Sequence, residues 1–212
     1  MTTSPSSNST WTLAALLLVS ALGIAALYEA TLGFRIVSTE SGRRLQISAH
    51  PLLLPPTALA TPRVMALQEN LRHDGRVAIV TFIYTRCNAI CSVLGSQYQQ
   101  MQSEIIARGM QHQIRLLSIS FDERDTPAVL QDYAKRQHAQ PAVWQFASVP
   151  DAQQRSRLLA AFGIVVLPAP LGEFQHNAAF HIVDRAGRLV RIIDLDDQDG
   201  ALRYAVVTRD GS

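Results

Sequence analysis

The stretch VAIVTFIYTRCNAICSVLG, residues 77–95, decides the fold. Its first eight residues, VAIVTFIY, are an unbroken apolar and β-branched run, the pattern of a strand buried on both faces. Thr85 and Arg86 end the run. Cys87 and Cys91, the two cysteines of the chain, follow with three residues between them. Leu94, Tyr98, Met101 and Ile105 then recur at helical spacing, and Gly109 stops the helix they define. Cys87 and Cys91 extend that stripe backward. The cysteines therefore stand where a buried strand turns into a helix, the position at which open α/β sheets place their sites.

Working outward, IRLLSISF (114–121) reads as a second buried strand. Thr126-Pro127 supplies an N-cap and a first-turn proline for a helix running to about His138. WQFASV (144–149) is a third strand. Asp151 caps a helix carrying Leu158, Leu159 and Phe162, which Gly163 ends. NAAFHIVD (177–184) and RLVRIIDL (188–195) flank Arg-Ala-Gly as a hairpin. Strands alternating with helices predict an α/β sandwich with a central sheet.

Upstream, residues 29–76 read as a stalk and lead-in. HPLLLPPTALATP (50–62) carries four prolines and predicts extended, irregular chain. WTLAALLLVSALGIAALY, Trp11 to Tyr28, has no charge and no polar face. As a helix it spans roughly 27 Å, close to the hydrocarbon thickness of a bilayer, with Trp11 and Tyr28 at its ends as interfacial aromatics. The tail of residues 1–10 is polar and lacks Lys and Arg. It does not supply the basic n-region of a signal peptide, and no A-x-A site follows, so 11–28 is expected to be an uncleaved transmembrane anchor. Arg35, Arg43 and Arg44 follow the span, and counting them by the positive-inside rule places the C-terminal domain in the cytoplasm.

A net charge of +2 gives no footprint for nucleic acid. The basic side chains are eighteen Arg and Lys135. Apolar residues make up 48% of the chain, enough for a core without disulfide staples.

Four readings of the cysteine pair are open. Two small apolar residues could simply face the core. A static disulfide fits poorly: residues four apart on a helix have Cβ atoms about 5–6 Å apart, whereas a relaxed disulfide needs about 3.5–4.5 Å. Redox and metal chemistry fit better, because a helix N-terminus and Arg86 favour thiolates, which are both nucleophiles and soft ligands. Two thiolates suit Cu(I), which one imidazole would complete. His50, His73, His112, His138, His176 and His181 are the available imidazoles. His181 lies inside a core strand and reads as packed; His176 lies in the loop before it, after LPAPLGEFQ.

With TFIYTRCNAICSVLG, LLSISFDERDTPAVLQDYAKR and FQHNAAFHIVDRAGRLV in view, the chain resembles the Sco/SenC family of copper chaperones over residues 77–195. The resemblance implies a thioredoxin-like domain (77–212) behind a single membrane helix. It implies copper, as Cu(I) or Cu(II), on Cys87, Cys91 and His176. The soluble domain would face the periplasm from the bacterial inner membrane, against the arginine count. The implied partners are the copper subunit of cytochrome c oxidase or another periplasmic copper protein, and a thioredoxin-like reductant. The implied role is copper delivery to the oxidase's binuclear site, gated by Cys87/Cys91 redox state. The alternative is a thiol–disulfide reductase with the same pair as its reactive centre. Departures from the family pattern are the shortened acidic block SFDERDTP, which reads Asp122 as a turn residue, and NAICS without its proline. The sequence closes on YAVVTRDGS, which predicts a curtailed last helix.

Overall fold

The computed structural model describes residues 7–30, 39–61, 64–87 and 90–210. Contacts divide the chain into two compact units, Met1–Leu45 and Gln46–Ser212. The first contains helix α1 (Ser7–Ala30). Its stretch Trp11–Glu29 is long and apolar enough to cross a membrane, and none of its residues is buried. Helix α2 (Thr39–Ala49) crosses the boundary between the units, with an Arg44–Glu40 pair at 3.1 Å on its first turns.

The second unit is built on β4 (Val77–Ile83), whose seven residues are all buried. Strand β5 (Ile114–Ser120) pairs parallel with β4, and β6 (Trp144–Ser148) pairs parallel with β5. On the other flank β9 (Phe180–Val183) runs antiparallel to β4, and β10 (Arg188–Ile193) closes a hairpin with it. The hairpin turn requires a left-handed residue, and Gly187 supplies it at φ 78°. The short strands β1 (Leu52–Leu53), β2 (Ala58–Ala60) and β3 (Val64–Ala66) complete an eight-stranded sheet of order β1-β10-β9-β4-β5-β6-β2-β3. A separate two-stranded flap is formed by β7 (Val166–Pro168) and β8 (Phe174–His176).

Alternation along β4 divides the core in two. Val77 and Ile79 face a cluster with Tyr98, Met101 and Ile105 of helix α4 (Ile90–Ala107) and Ala201, Leu202 and Ala205 of helix α7 (Gln198–Asp210). Val80 and Phe82 face a second cluster. It includes Leu67 and Leu71 of α3 (Leu67–Asp74), Tyr133 of α5 (Pro127–Arg136), and Leu158 and Phe162 of α6 (Ala152–Phe162). The caps form as the sequence predicts. The Thr126 hydroxyl accepts the Val129 N–H at 3.4 Å, and the Asp151 carboxylate accepts the Gln154 N–H at 2.7 Å. Gly163 ends α6 in the left-handed region. His181 is packed in the core, as expected, its Nδ1–H donating to the Val80 carbonyl at 3.2 Å.

Three details differ from the sequence reading. The proline-rich lead-in is not wholly irregular: its segments between prolines supply β1 and β2 at the margins of the sheet, where a missing N–H is tolerated. The last helix is not curtailed: α7 runs thirteen residues, and its small residues pack against the α4 face. The helical stripe stops short of Cys87, because α4 starts at Ile90.

Candidate metal centre

β4 delivers its C-terminal end, Ile83 and Tyr84, to the edge of the core. The Tyr84 carbonyl accepts the Cys87 N–H at 3.3 Å, closing a turn over Tyr84–Cys87. Cys87 is half-buried, its sulfur is a thiol, and it packs against the Phe82 side of the core. Cys91 falls in the first turn of α4; its side chain lies outside the described residues. Among the described residues, no three His, Cys, Asp or Glu side chains are grouped to hold a metal ion.

The turn is pinned from below by Asp125. Its carboxylate accepts the Thr85 N–H at 2.9 Å, the Thr85 hydroxyl at 2.6 Å and the Ser120 hydroxyl at 2.6 Å. Asp122 is a turn residue, as expected: its carbonyl accepts the Asp125 N–H at 3.1 Å. Its side chain does more. One carboxylate, 1% exposed, takes Arg86 at 3.1 Å and Arg124 at 2.8 Å. Burial, with Asp125 beside it, pushes the Asp122 carboxyl up, against the pull of Arg86. Arg124 continues to the flap, donating to the Gly172 carbonyl at 3.1 Å and lying over the Phe174 ring.

The flap carries His176 at the end of β8, rather than in an open loop. Asn177 fixes its base, accepting the Val165 N–H at 2.7 Å and donating to the Gly163 carbonyl at 2.9 Å. The His176 Nδ1 lies 2.9 Å from the Asn177 carbonyl. A carbonyl can only accept, so Nδ1 carries the proton and Nε2 keeps its lone pair. That Nε2 is buried and has no hydrogen-bond partner among the described residues. Burial lowers the His176 pKa, which favours the neutral ring. The ring stands against Phe121 (centroids 5.0 Å apart) and Tyr84 (6.2 Å).

Tyr84 joins the two halves. Its hydroxyl donates to the Glu173 carboxylate at 2.6 Å, with the Phe174 carbonyl at 3.2 Å as a second acceptor. It accepts the Phe174 N–H at 3.3 Å. Burial first, then the Glu173 bond, hold the phenol well above its ordinary pKa. Glu173 and Phe174 also line an open cleft of about 410 Å³ with Phe121, Asp122, Arg124 and Arg155.

The donor set fits a soft metal ion. A buried imidazole nitrogen with an unused lone pair needs a proton donor or a metal to satisfy it, and the described residues offer no donor. The Cys87 turn hangs on the neighbouring Tyr84, through that residue's main-chain carbonyl. Sequence reasoning missed Tyr84, Asp125 and Glu173. The signals were a phenol ending an otherwise apolar strand and an acid just before a helix cap.

A central sheet that ends its first long strand in a cysteine turn, with a histidine flap folded against it, defines a thioredoxin-like α/β protein. Residues 66–208 match the SCO1/SenC family model, so the chain belongs to the SCO1/SenC family. It is 24% identical over 120 residues to the SCO1 protein homolog of Bacillus subtilis (strain 168). That match takes in 55% of this chain and 61% of the relative, so the chain spans about three fifths of the length of the curated relative it matches. The fold is similar to that of BsSco, a member of the Sco family of cytochrome c oxidase assembly proteins with a disulfide switch. The two share a TM-score of 0.63 and 20% identity over 76% of this chain and 95% of that one. It is also similar to yeast Sco1 with copper bound, at a TM-score of 0.60 and 19% identity, covering 76% and 90% of the two chains.

Proposed function

We propose that this protein is a membrane-anchored metallochaperone that carries copper as cargo on Cys87, Cys91 and His176. It hands the ion to a copper protein, most simply the copper subunit of cytochrome c oxidase. The observation that carries the reading is the buried Nε2 of His176, which has no partner among the described residues, beside the tyrosine whose main-chain carbonyl holds the Cys87 turn. Two thiolates and one neutral imidazole form a soft three-ligand set suited to Cu(I). Oxidation of Cys87 and Cys91 to a disulfide would remove two donors at once, so the redox state of the pair would gate loading. The anchor is the span around residues 11–28, and the domain is assigned to the periplasmic face of the bacterial inner membrane.

Copper titration of the reduced full-length protein in detergent tests this. Wild type is expected to take up one ion, Cys87→Ser and Cys91→Ser to lose stable binding, and His176→Ala to bind more weakly. Wild-type affinity in Cys87→Ser would end the proposal. The disulfide switch of the similar BsSco favours a second reading, a thiol–disulfide reductase in which Cys87 attacks and Cys91 resolves. His176→Ala separates the two: a reductase keeps its thiol exchange unchanged, and a chaperone binds copper more weakly.

A further inference from the structure

Most of the elements that present the candidate ligands are firmly held, and one is not. The Cys87 turn hangs from the central strand and from Asp125. The His176 side rests on a flap of two strands, each three residues long. A two-stranded ribbon of that size has little stability of its own. Its turn is also strained, because Leu171 adopts a left-handed φ of 61° with its side chain 99% exposed. The placement of His176 must therefore be imposed by the groups that fasten β8 to the domain.

We propose that Tyr84 is the positioning residue that sets the His176 imidazole against the Cys87 turn. The inference rests on the copper-site reading above. Tyr84 acts on both sides at once. Its main-chain carbonyl holds the Cys87 N–H, and its hydroxyl makes contacts at 2.6, 3.2 and 3.3 Å to Glu173 and Phe174, just before His176. Its ring meets Phe174 edge-on, with centroids 5.2 Å apart, and walls the imidazole together with Phe121. A phenylalanine would keep the ring contacts and lose every hydroxyl bond. The two sides lie 90 residues apart in sequence, so no local geometry fixes their spacing. A buried phenol bonded to the carboxylate and main chain of a short strand does.

The test is a double-mutant cycle on the reduced full-length protein, read by copper affinity and by the spectrum of the Cu(II) form. Tyr84→Phe should weaken binding about tenfold, the loss of one charge-assisted hydrogen bond, and should shift the Cu(II) spectrum. In a His176→Ala background the same change should cost less than about twofold, because a residue that acts through His176 has nothing left to position. Equal losses in both backgrounds, or wild-type affinity and spectrum in Tyr84→Phe, overturn the inference. If Tyr84→Phe does not fold, Glu173→Ala removes the nearest hydroxyl acceptor from the other side. It should move affinity and spectrum in the same direction, and wild-type values from it also overturn the inference. Failure of wild type to bind copper sinks the copper-site reading as well; wild-type binding with an unaltered Tyr84→Phe sinks this inference alone.

Discussion

Asp125 is a single side chain with three donors on it, and the Cys87 turn depends on it. Replacing it by alanine strands one main-chain N–H and two hydroxyls. Asp125→Ala is therefore expected to cost about 2–3 kcal/mol in urea unfolding. Asp125→Asn, which keeps an acceptor, should cost less. His176 offers a second test at this scale. Burial disfavours its imidazolium, so its NMR titration in the copper-free protein should have a midpoint below the ordinary 6.5. The sign for stability follows. Between 6.5 and that lower value the unfolded chain takes up the proton first, so stability falls as pH falls through the window. The candidate ligands were legible because cysteines and histidines are rare enough to stand out. Tyr84 and Asp125 were not, since a tyrosine in a strand and an aspartate before a helix have ordinary structural uses. Only a fold that brings Glu173 and Ser120 to them shows what they hold.

At the scale of elements, the far end of the sheet is tied by charge. Arg115 on β5 is fully buried and donates to Asn70 at 2.7 Å, Gln145 at 3.1 Å and Asp74 at 3.3 Å. Asp74 in turn holds Arg76, which reaches the Gln111 carbonyl at 2.9 Å. This knot docks α3, part of the lead-in, onto the sheet. Removing Asp74 leaves a buried guanidinium without its counter-charge, so Asp74→Ala should destabilise by about 3 kcal/mol in chemical denaturation. Arg115→Met should cost far less, within about 1 kcal/mol, because it removes the charge together with an Nε that has no partner among the described residues. Burial alone would raise the Asp74 pKa, but the hydrogen bond from Arg76 and the charges of Arg115 and Arg76 outweigh it, and the net shift is downward. Its contribution is thus present above 3.8 and is lost as pH falls through the lowered folded value. The helices and long strands were readable from their periodicity. The marginal strands β1, β2 and β3 were not, since two or three residues carry no period and their pairing is decided by distant neighbours.

For the whole molecule, the apolar helix at the N-terminus and the mixed α/β fold were both plain in the sequence. The side of the membrane was not, because arginines near one span argue one way and the family resemblance the other. A pair of reporter fusions to the C-terminus, one active only in the periplasm and one only in the cytoplasm, decides it. Periplasmic activity is expected, and cytoplasmic activity would remove the proposed copper acceptor from reach. Chain order has a further consequence. β4 sits between β5 and β9, and the hydrogen bond from His181 to Val80 joins residues 101 apart. At about 5–20 residues per second, synthesis leaves the Cys87 turn waiting roughly 5–20 s for the strand that completes its sheet. The Cys87 thiol is made early and packed against the core late. For that interval the newborn chain is open to oxidants and stray metal ions, and whatever guards it then must come from outside the fold.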